Sequence, residues 1–234
     1  MEKKIDDDLK IFIGGIYGES SLLNMFEEMA AIASVLLRQR NARGRKTWTD
    51  FRNKEKSFAF ALSDGNPRYK IAIDADDAVF FDENNPLSIA YKAANHALSG
   101  NEDFSNGAYF WDGPDLTAQV AGRFGKAAPQ AGFHFSKSEH DIFKTGNFHI
   151  EHVKYKVIGS GKNKSKVISA ECNWAYESTA AFDGYYSRKS KKIITDKTGK
   201  KKEETQTKEI HTGTVFWKFN DTFTKNFGSG KDYL

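Results

Sequence analysis

The sequence contains one cysteine, Cys172, so no internal disulfide can staple the chain. It has only four prolines and no proline- or serine-rich tract, which argues against a low-complexity linker. No apolar run approaches the roughly 18 residues that a membrane-crossing helix requires, so no membrane insertion is expected. The opening, Met1 to Asp8, is charged and has no apolar stretch of signal-peptide type. This predicts either a cytosolic chain, export by a route that needs no such signal, or one domain of a longer protein. No Cys or His cluster has zinc spacing; His134, His140, His149, His152 and His211 are scattered, and His96 stands alone in a helical pattern. No GxGxxG, Walker or GxSxG signature is present. No metal or cofactor is therefore expected. Internal repeats are also missing, which excludes a solenoid.

What remains is a chain of 234 residues, 39% hydrophobic and 14% aromatic, with 19 Phe and 9 Tyr. That is enough apolar material for one large domain or two small ones. The formal charge of +4 is concentrated: Arg188 to Glu209 holds nine Lys or Arg against four acids, which leaves the rest of the chain near −1. A nucleic-acid footprint is usually a broader basic face, so no nucleic-acid partner is expected. Within the segment, Asp196 to Lys202 reads as the tip of a long hairpin, its charges suiting a solvated tip or an edge guard, with electrostatic attraction to an anionic polymer as the functional alternative.

The spacing of Leu22, Leu23, Phe26, Met29, Ala30, Ala33, Leu36 and Leu37 predicts one apolar helix face running from Glu19 to about Ala42, with Gly44 beyond it. Ser20 or Ser21 would cap its start and place Glu19 at a helix entrance, where the dipole favours a carboxylate. Partial desolvation there raises a carboxyl pKa and allows general-acid chemistry. Before it, Leu9 to Gly14 reads as a short strand or the end of a leading helix, broken by Gly14-Gly15.

Downstream, Ser63 to Tyr69 reads as a turn whose Asp64, Asn66, Arg68 and Tyr69 can bond a sugar or peptide. Asn85 and Pro86 mark the start of a helix that runs to Leu98, with Leu87, Ala90, Tyr91, Ala94 and Leu98 inward and Gly100 as its stop. Tyr109-Phe110-Trp111 cannot all face one core on an extended chain, so at least one should face solvent or a cleft, where an aromatic face beside a carboxylate such as Asp112 suits a sugar. Asp115 reads as the cap of a helix from Leu116 to Phe124. From Phe148 the pattern becomes strand-like. The class expected is α+β, with helices over about 9–146 and an antiparallel β-rich part over about 148–220. The chain is read as one domain, 1–234, in which 147–234 is an extension carrying the basic hairpin.

Ile16-Tyr17-Gly18-Glu19-Ser20, then Ile32 to Arg40, then Ala90 to Gly100 and Asn106-Gly107-Ala108-Tyr109-Phe110 follow one another in an order and rough spacing that resemble the SleB-like cell-wall hydrolases (spore-cortex-lytic enzymes). Ser57-Phe58-Ala59 lies where that family has a Gln-Phe-Ser-like element. The resemblance covers about residues 9–115. Gly18 replaces the usual Ala, and Leu37 or Arg38 falls where Asn is expected. The resemblance implies a lysozyme-like catalytic part that cuts the glycan strands of peptidoglycan, with Glu19 as the catalytic acid. Glu28, nine residues on, is the rival.

A muramidase of hydrolytic type needs a second carboxylate, for which Asp64, Asp112 and Asp50 are candidates; a lytic transglycosylase needs only the one acid. Tyr17, Ser20, Asn66, Arg68, Tyr109, Trp111 and Asp112 are the expected substrate-binding residues. By analogy, a murein enzyme of this kind is an antibacterial effector or a phage lysin acting in the periplasm or cell wall of a target bacterium. An effector also requires an immunity protein in the producing cell. The alternative is a non-catalytic peptidoglycan-binding or protein-interaction module.

Overall fold

The computed structural model describes residues 4–55, 58, 61–63, 65–113, 147–148, 152–160, 164–172, 176–195, 201–219 and 221–226. It is a mixed α+β structure in which helices surround one buried helix and a long antiparallel hairpin closes the side.

The buried helix is α1 (Asp7–Glu19). It starts where the Asp6 side chain accepts from the amides of Asp8 and Leu9, satisfying donors that a helix start leaves open. Ile11 to Ile16 are all buried, so this helix has no polar face for a periodicity argument to detect. The Gly14-Gly15 pair does not break it. A Cβ on Gly14 would lie 2.8 Å from Cδ2 of Tyr69, and one on Gly15 would overlap the Leu62 side chain. The glycines are positions where neighbours approach the helix backbone.

Around α1 pack α2 (Phe26–Ala42), α3 (Trp48–Lys54), α4 (Pro67–Asp74) and α5 (Pro86–Leu98), with a 3-10 turn over Asp77–Phe81. Met29 to Ala33, Val35 and Leu36 of α2 are fully buried, and Ala90, Ala93 and Ala94 of α5 are fully buried too. Phe12 stacks on Trp48 at 3.9 Å, and the Arg40 guanidinium lies 4.4 Å over the Trp48 ring. Each such large side chain removed from water contributes about 1.5–3 kcal/mol.

The expected helix from Glu19 is corrected: α1 ends at Glu19, Ser20 is its C-cap, and α2 begins at Phe26 with Met25 as N-cap. Leu22 and Leu23 belong to the corner between the helices, and Leu22 is 49% exposed. The expected turn at Asn66-Pro67 is instead the cap and first residue of α4. The start at Asn85-Pro86 and the stop at Gly100, which has φ +68, agree with expectation, whereas Leu98 is exposed.

The sheet has the order β1-β6-β5-β2, formed by Phe110–Asp112 (β1), Asn147–Phe148 (β2), Tyr176–Thr195 (β5) and Lys201–Phe219 (β6). A separate pair, β3 (His152–Ile158) with β4 (Ser165–Cys172), has the strand-like segments expected from sequence. A short helix, α6 (Asp221–Asn226), follows β6. β5 and β6 pair from Tyr176↔Phe219 to Thr195↔Lys201, with one irregularity between Ser178 and Ala180. The root of β6 is core: Val215, Phe216 and Trp217 are at most 3% exposed, and Phe216 joins the helical cluster. The distal end of β6, from Lys201 to Glu209, is exposed throughout. The expected helix at 116–124 lies outside the described residues.

Candidate active site

The last turn of α1 carries the residues of the site. Glu19 is its final residue and is half-buried. This is the opposite pole of a helix from the one expected: the exposed carbonyls there carry partial negative charge, so the dipole gives a carboxylate no help. What holds Glu19 is a pair of side-chain donors. Asn66 Nδ2 donates to Oε1 at 2.9 Å, and Trp111 Nε1 donates to Oε2 at 3.2 Å.

Asn66 is 6% exposed and serves two elements. Its Oδ1 accepts from the amides of Arg68 (3.0 Å) and Tyr69 (3.3 Å), capping α4. With the oxygen committed to the cap, the amide nitrogen must point to Glu19, so the cap fixes the orientation of the side chain. The approach requires Gly18: a Cβ there would sit 2.8 Å from Asn66 Nδ2. Trp111, one of the expected substrate-binding residues, reaches Glu19 from β1, and its ring packs against the core cluster 5.9 Å from Phe58.

Arg68 anchors the corner that follows. It donates to the carbonyls of Ser20 and Ser21 and, at 2.7 Å, to Asn24 Oδ1, while its guanidinium lies 4.1 Å over the Tyr17 ring. Asn24 has φ +53, a left-handed conformation that Asn tolerates better than most residues. Burial pulls the Arg68 pKa down, and Tyr17, Glu28 and Glu19 oppose that shift; the guanidinium stays charged. Its Nε has no hydrogen-bond partner among the described residues.

Glu28 has a different setting. It is fully buried, and it accepts from the Ser21 amide (3.0 Å), the Ser21 hydroxyl (2.6 Å) and the Thr214 hydroxyl (2.6 Å). A buried carboxyl with each oxygen bonded ties the corner to the root of the hairpin. Ser20 is buried too, its hydroxyl donating to the Tyr17 carbonyl at 3.1 Å.

The structure thus gathers Tyr17, Glu19, Ser20, Asn66, Arg68 and Trp111 at one corner. Tyr109 is engaged elsewhere: its amide donates to the Trp217 carbonyl at 2.8 Å, its carbonyl accepts from Gln39, and its ring lies 5.4 Å from the Arg38 guanidinium. Asp50 pairs with Lys54 on α3 at 2.8 Å. Asp112 is placed by its backbone, opposite Val215 in β1, and Asp64 lies outside the described residues. Among the described residues no group of three His, Cys, Asp or Glu is placed to hold a metal ion.

Beside the corner runs an open groove of about 670 Å³, with Ser20, Ser21 and Arg68 on one wall and Tyr186, Ile210 and Thr212 of the hairpin on the other. Sequence reading did not find the hairpin wall, because which face of β5 and β6 turns inward depends on a register set far along the chain. No family model, curated protein or solved structure matches the chain. No helix among the described residues is long and apolar enough to cross a membrane.

Proposed function

We propose that the protein cleaves the glycan strands of peptidoglycan, at the β-1,4 bond between N-acetylmuramic acid and N-acetylglucosamine, with Glu19 as the general acid. One observation carries this reading: a half-buried carboxyl, next in sequence to the Ser20 that lines the groove, oriented through one oxygen by an amide and through the other by an indole. An acid held in this way can place its proton on the bridging oxygen of a sugar chain lying in the groove, and positioning of this kind is what general-acid catalysis requires. The SleB-like resemblance of residues 9–115 and a lysozyme-like arrangement of the helices belong to the same proposal. So does its setting, in which an antibacterial effector or lysin acts in the periplasm or cell wall of a target bacterium, opposed by an immunity protein where the producer must protect itself.

The test is digestion of purified peptidoglycan by wild type and Glu19→Gln, with product masses as the readout. Wild type releases soluble muropeptides; Glu19→Gln releases none yet keeps its thermal transition. Anhydro ends identify a lytic transglycosylase, in which Glu19 serves as acid and then as base; reducing ends identify a hydrolase with a second carboxylate. Full activity in Glu19→Gln removes the assignment. A second reading, a non-catalytic peptidoglycan-binding module, draws on the exposed distal hairpin. It predicts retention of the protein on sacculi without release of fragments.

A further inference from the structure

The distal hairpin is long for a free ribbon. Ser187 to Thr195 extends about 30 Å at roughly 3.3 Å per residue, and its partner strand is exposed over the same length. Two-stranded ribbons are marginal alone, so the charges on each face matter.

Residues directly opposite on antiparallel strands share a face, and successive residues alternate between faces. Phe182/Thr214, Gly184/Thr212 and Tyr186/Ile210 are such pairs. Their face turns toward the helical body: Phe182 packs edge-on against the core residue Phe216, Thr214 donates to Glu28, and Gly184 meets Leu23. Continued outward, the same face carries Arg188 opposite Lys208, Lys192 opposite Glu204, and Lys202 opposite Ile194. That makes four cations and one acid.

The opposite face is closer to balance, with Lys189, Lys191 and Lys201 against Glu203 and Glu209. There Lys191 pairs with Glu203 at 3.0 Å, and the Ser187 hydroxyl donates to Glu209, a residue that also edges the groove. On the inner face Arg188 and Lys208 stand directly across from each other with no acidic partner among the described residues, an arrangement that weakens a ribbon unless something anionic sits on it. Lys208 lines the groove that begins at Ser20, Ser21 and Arg68, next to Glu19.

We propose that this inner face binds the carboxylate-bearing peptide branches of the glycan strand that Glu19 cleaves, so that the hairpin is a substrate arm. The inference rests on the glycan-cleaving reading. A strand leaving the corner along the groove presents neutral sugars to Glu19, while its acidic branches reach the Arg188/Lys208 pair by charge complementarity.

The test compares Arg188→Glu/Lys208→Glu with Lys189→Glu/Lys191→Glu, an equal charge change on the outer face. The inner exchange keeps two like charges opposite each other, so the ribbon's own repulsion is unchanged. Both variants are combined with Glu19→Gln and sedimented with whole sacculi or with glycan strands stripped of peptide by an amidase and then amidated at the lactyl carboxylates that stripping frees, at low and high salt. The expected result is about tenfold weaker retention on sacculi for the inner variant alone, lost at high salt, with no difference on stripped strands. Equal effects of the two variants, or an equal loss on stripped strands, overturn the proposal. So does an inner-face effect confined to duplex DNA or to anionic vesicles. Cleavage of stripped strands by the otherwise wild-type enzyme tests the glycan-cleaving reading separately, since it needs no peptide branch.

Discussion

Asn66→Asp isolates the contact on which Glu19 depends. Asp caps a helix as well as Asn does, so the Oδ1 bonds to the Arg68 and Tyr69 amides survive. The other arm changes from a donor to an oxygen facing Glu19 Oε1, now 2.9 Å from the Asn66 amide nitrogen. Two carboxylates held at that distance repel by about 6 kcal/mol at an effective dielectric constant of about 20. Rotation and water relieve most of this; if a quarter survives, the pair holds a shared proton about one pH unit further up than a lone carboxyl does. The sign follows from linkage. The variant's pair has a folded pKa raised above the unfolded value, so its penalty is absent at low pH, where both states are protonated. It grows as pH rises through the ordinary carboxylate range and is complete above the raised pKa. Urea unfolding at pH 3.5 and pH 7.5 is expected to show near-equal stability of variant and wild type in acid and a deficit at neutral pH. In the murein assay the alkaline limb of activity moves upward by about one unit, because Glu19 keeps its proton longer. A stability deficit independent of pH, or an unmoved alkaline limb in an active variant, refutes the Asn66–Glu19 coupling.

Gly18→Ala improves helix propensity by about 1 kcal/mol yet pushes against the Asn66 amide, 2.8 Å from the new Cβ. The expected outcome is a small change in melting temperature with a large fall in murein cleavage. Thr214→Val keeps shape and deletes the hydroxyl that bonds the buried Glu28, at a cost of about 1–3 kcal/mol in denaturant unfolding. Asp103 is held below the usual carboxylate range: burial alone pushes it up, but the Ser105 hydroxyl, Arg38 and the amides of Gly107 and Ser105 outweigh that push. Its stabilisation is present above the ordinary carboxylate pKa and is lost as pH falls through the lowered one, so Asp103→Asn flattens the acid side of the stability profile measured by urea titration.

The elements that were legible from sequence carry their signals locally. Asn85-Pro86 and Gly100 bracket α5 because a cap, a fixed φ and a positive φ are properties of single residues. The alternation that keeps Tyr109, Phe110 and Trp111 from sharing one face is equally local; Trp111 packs against the core cluster and donates to Glu19, while Phe110 packs edge-on against Phe219. α1 was legible only in part, as a leading helix that stood beside a short strand as alternatives and was cut short at Gly14-Gly15, for the converse reason. Buried on all sides, it has no period, and its glycines look like breaks until Tyr69 and Leu62 are known to lie against them. The corner at Ser20 to Met25 was absorbed into α2 because Leu22 and Leu23 continue its apolar spacing; what bends the chain there is Arg68, more than forty residues away, gripping two carbonyls and Asn24.

The placement of Glu19 joins both kinds of signal in one residue. Asn66-Pro67 reads as a turn in the sequence, whereas in the structure the pair caps and starts α4. A cap uses only the oxygen of an asparagine, however, and leaves two N–H donors that must find a partner when the side chain is buried. Here the partner is an acid at the opposite pole of another helix, reachable only because residue 18 has no side chain. Mutating the partner therefore separates two roles that the wild type combines. Asn66→Ser retains an oxygen for the cap and drops the reach to Glu19, so its α4 should hold in amide exchange while its murein cleavage falls. Loss of α4 protection together with activity would mean that the cap, and not the donor, is what the site needs.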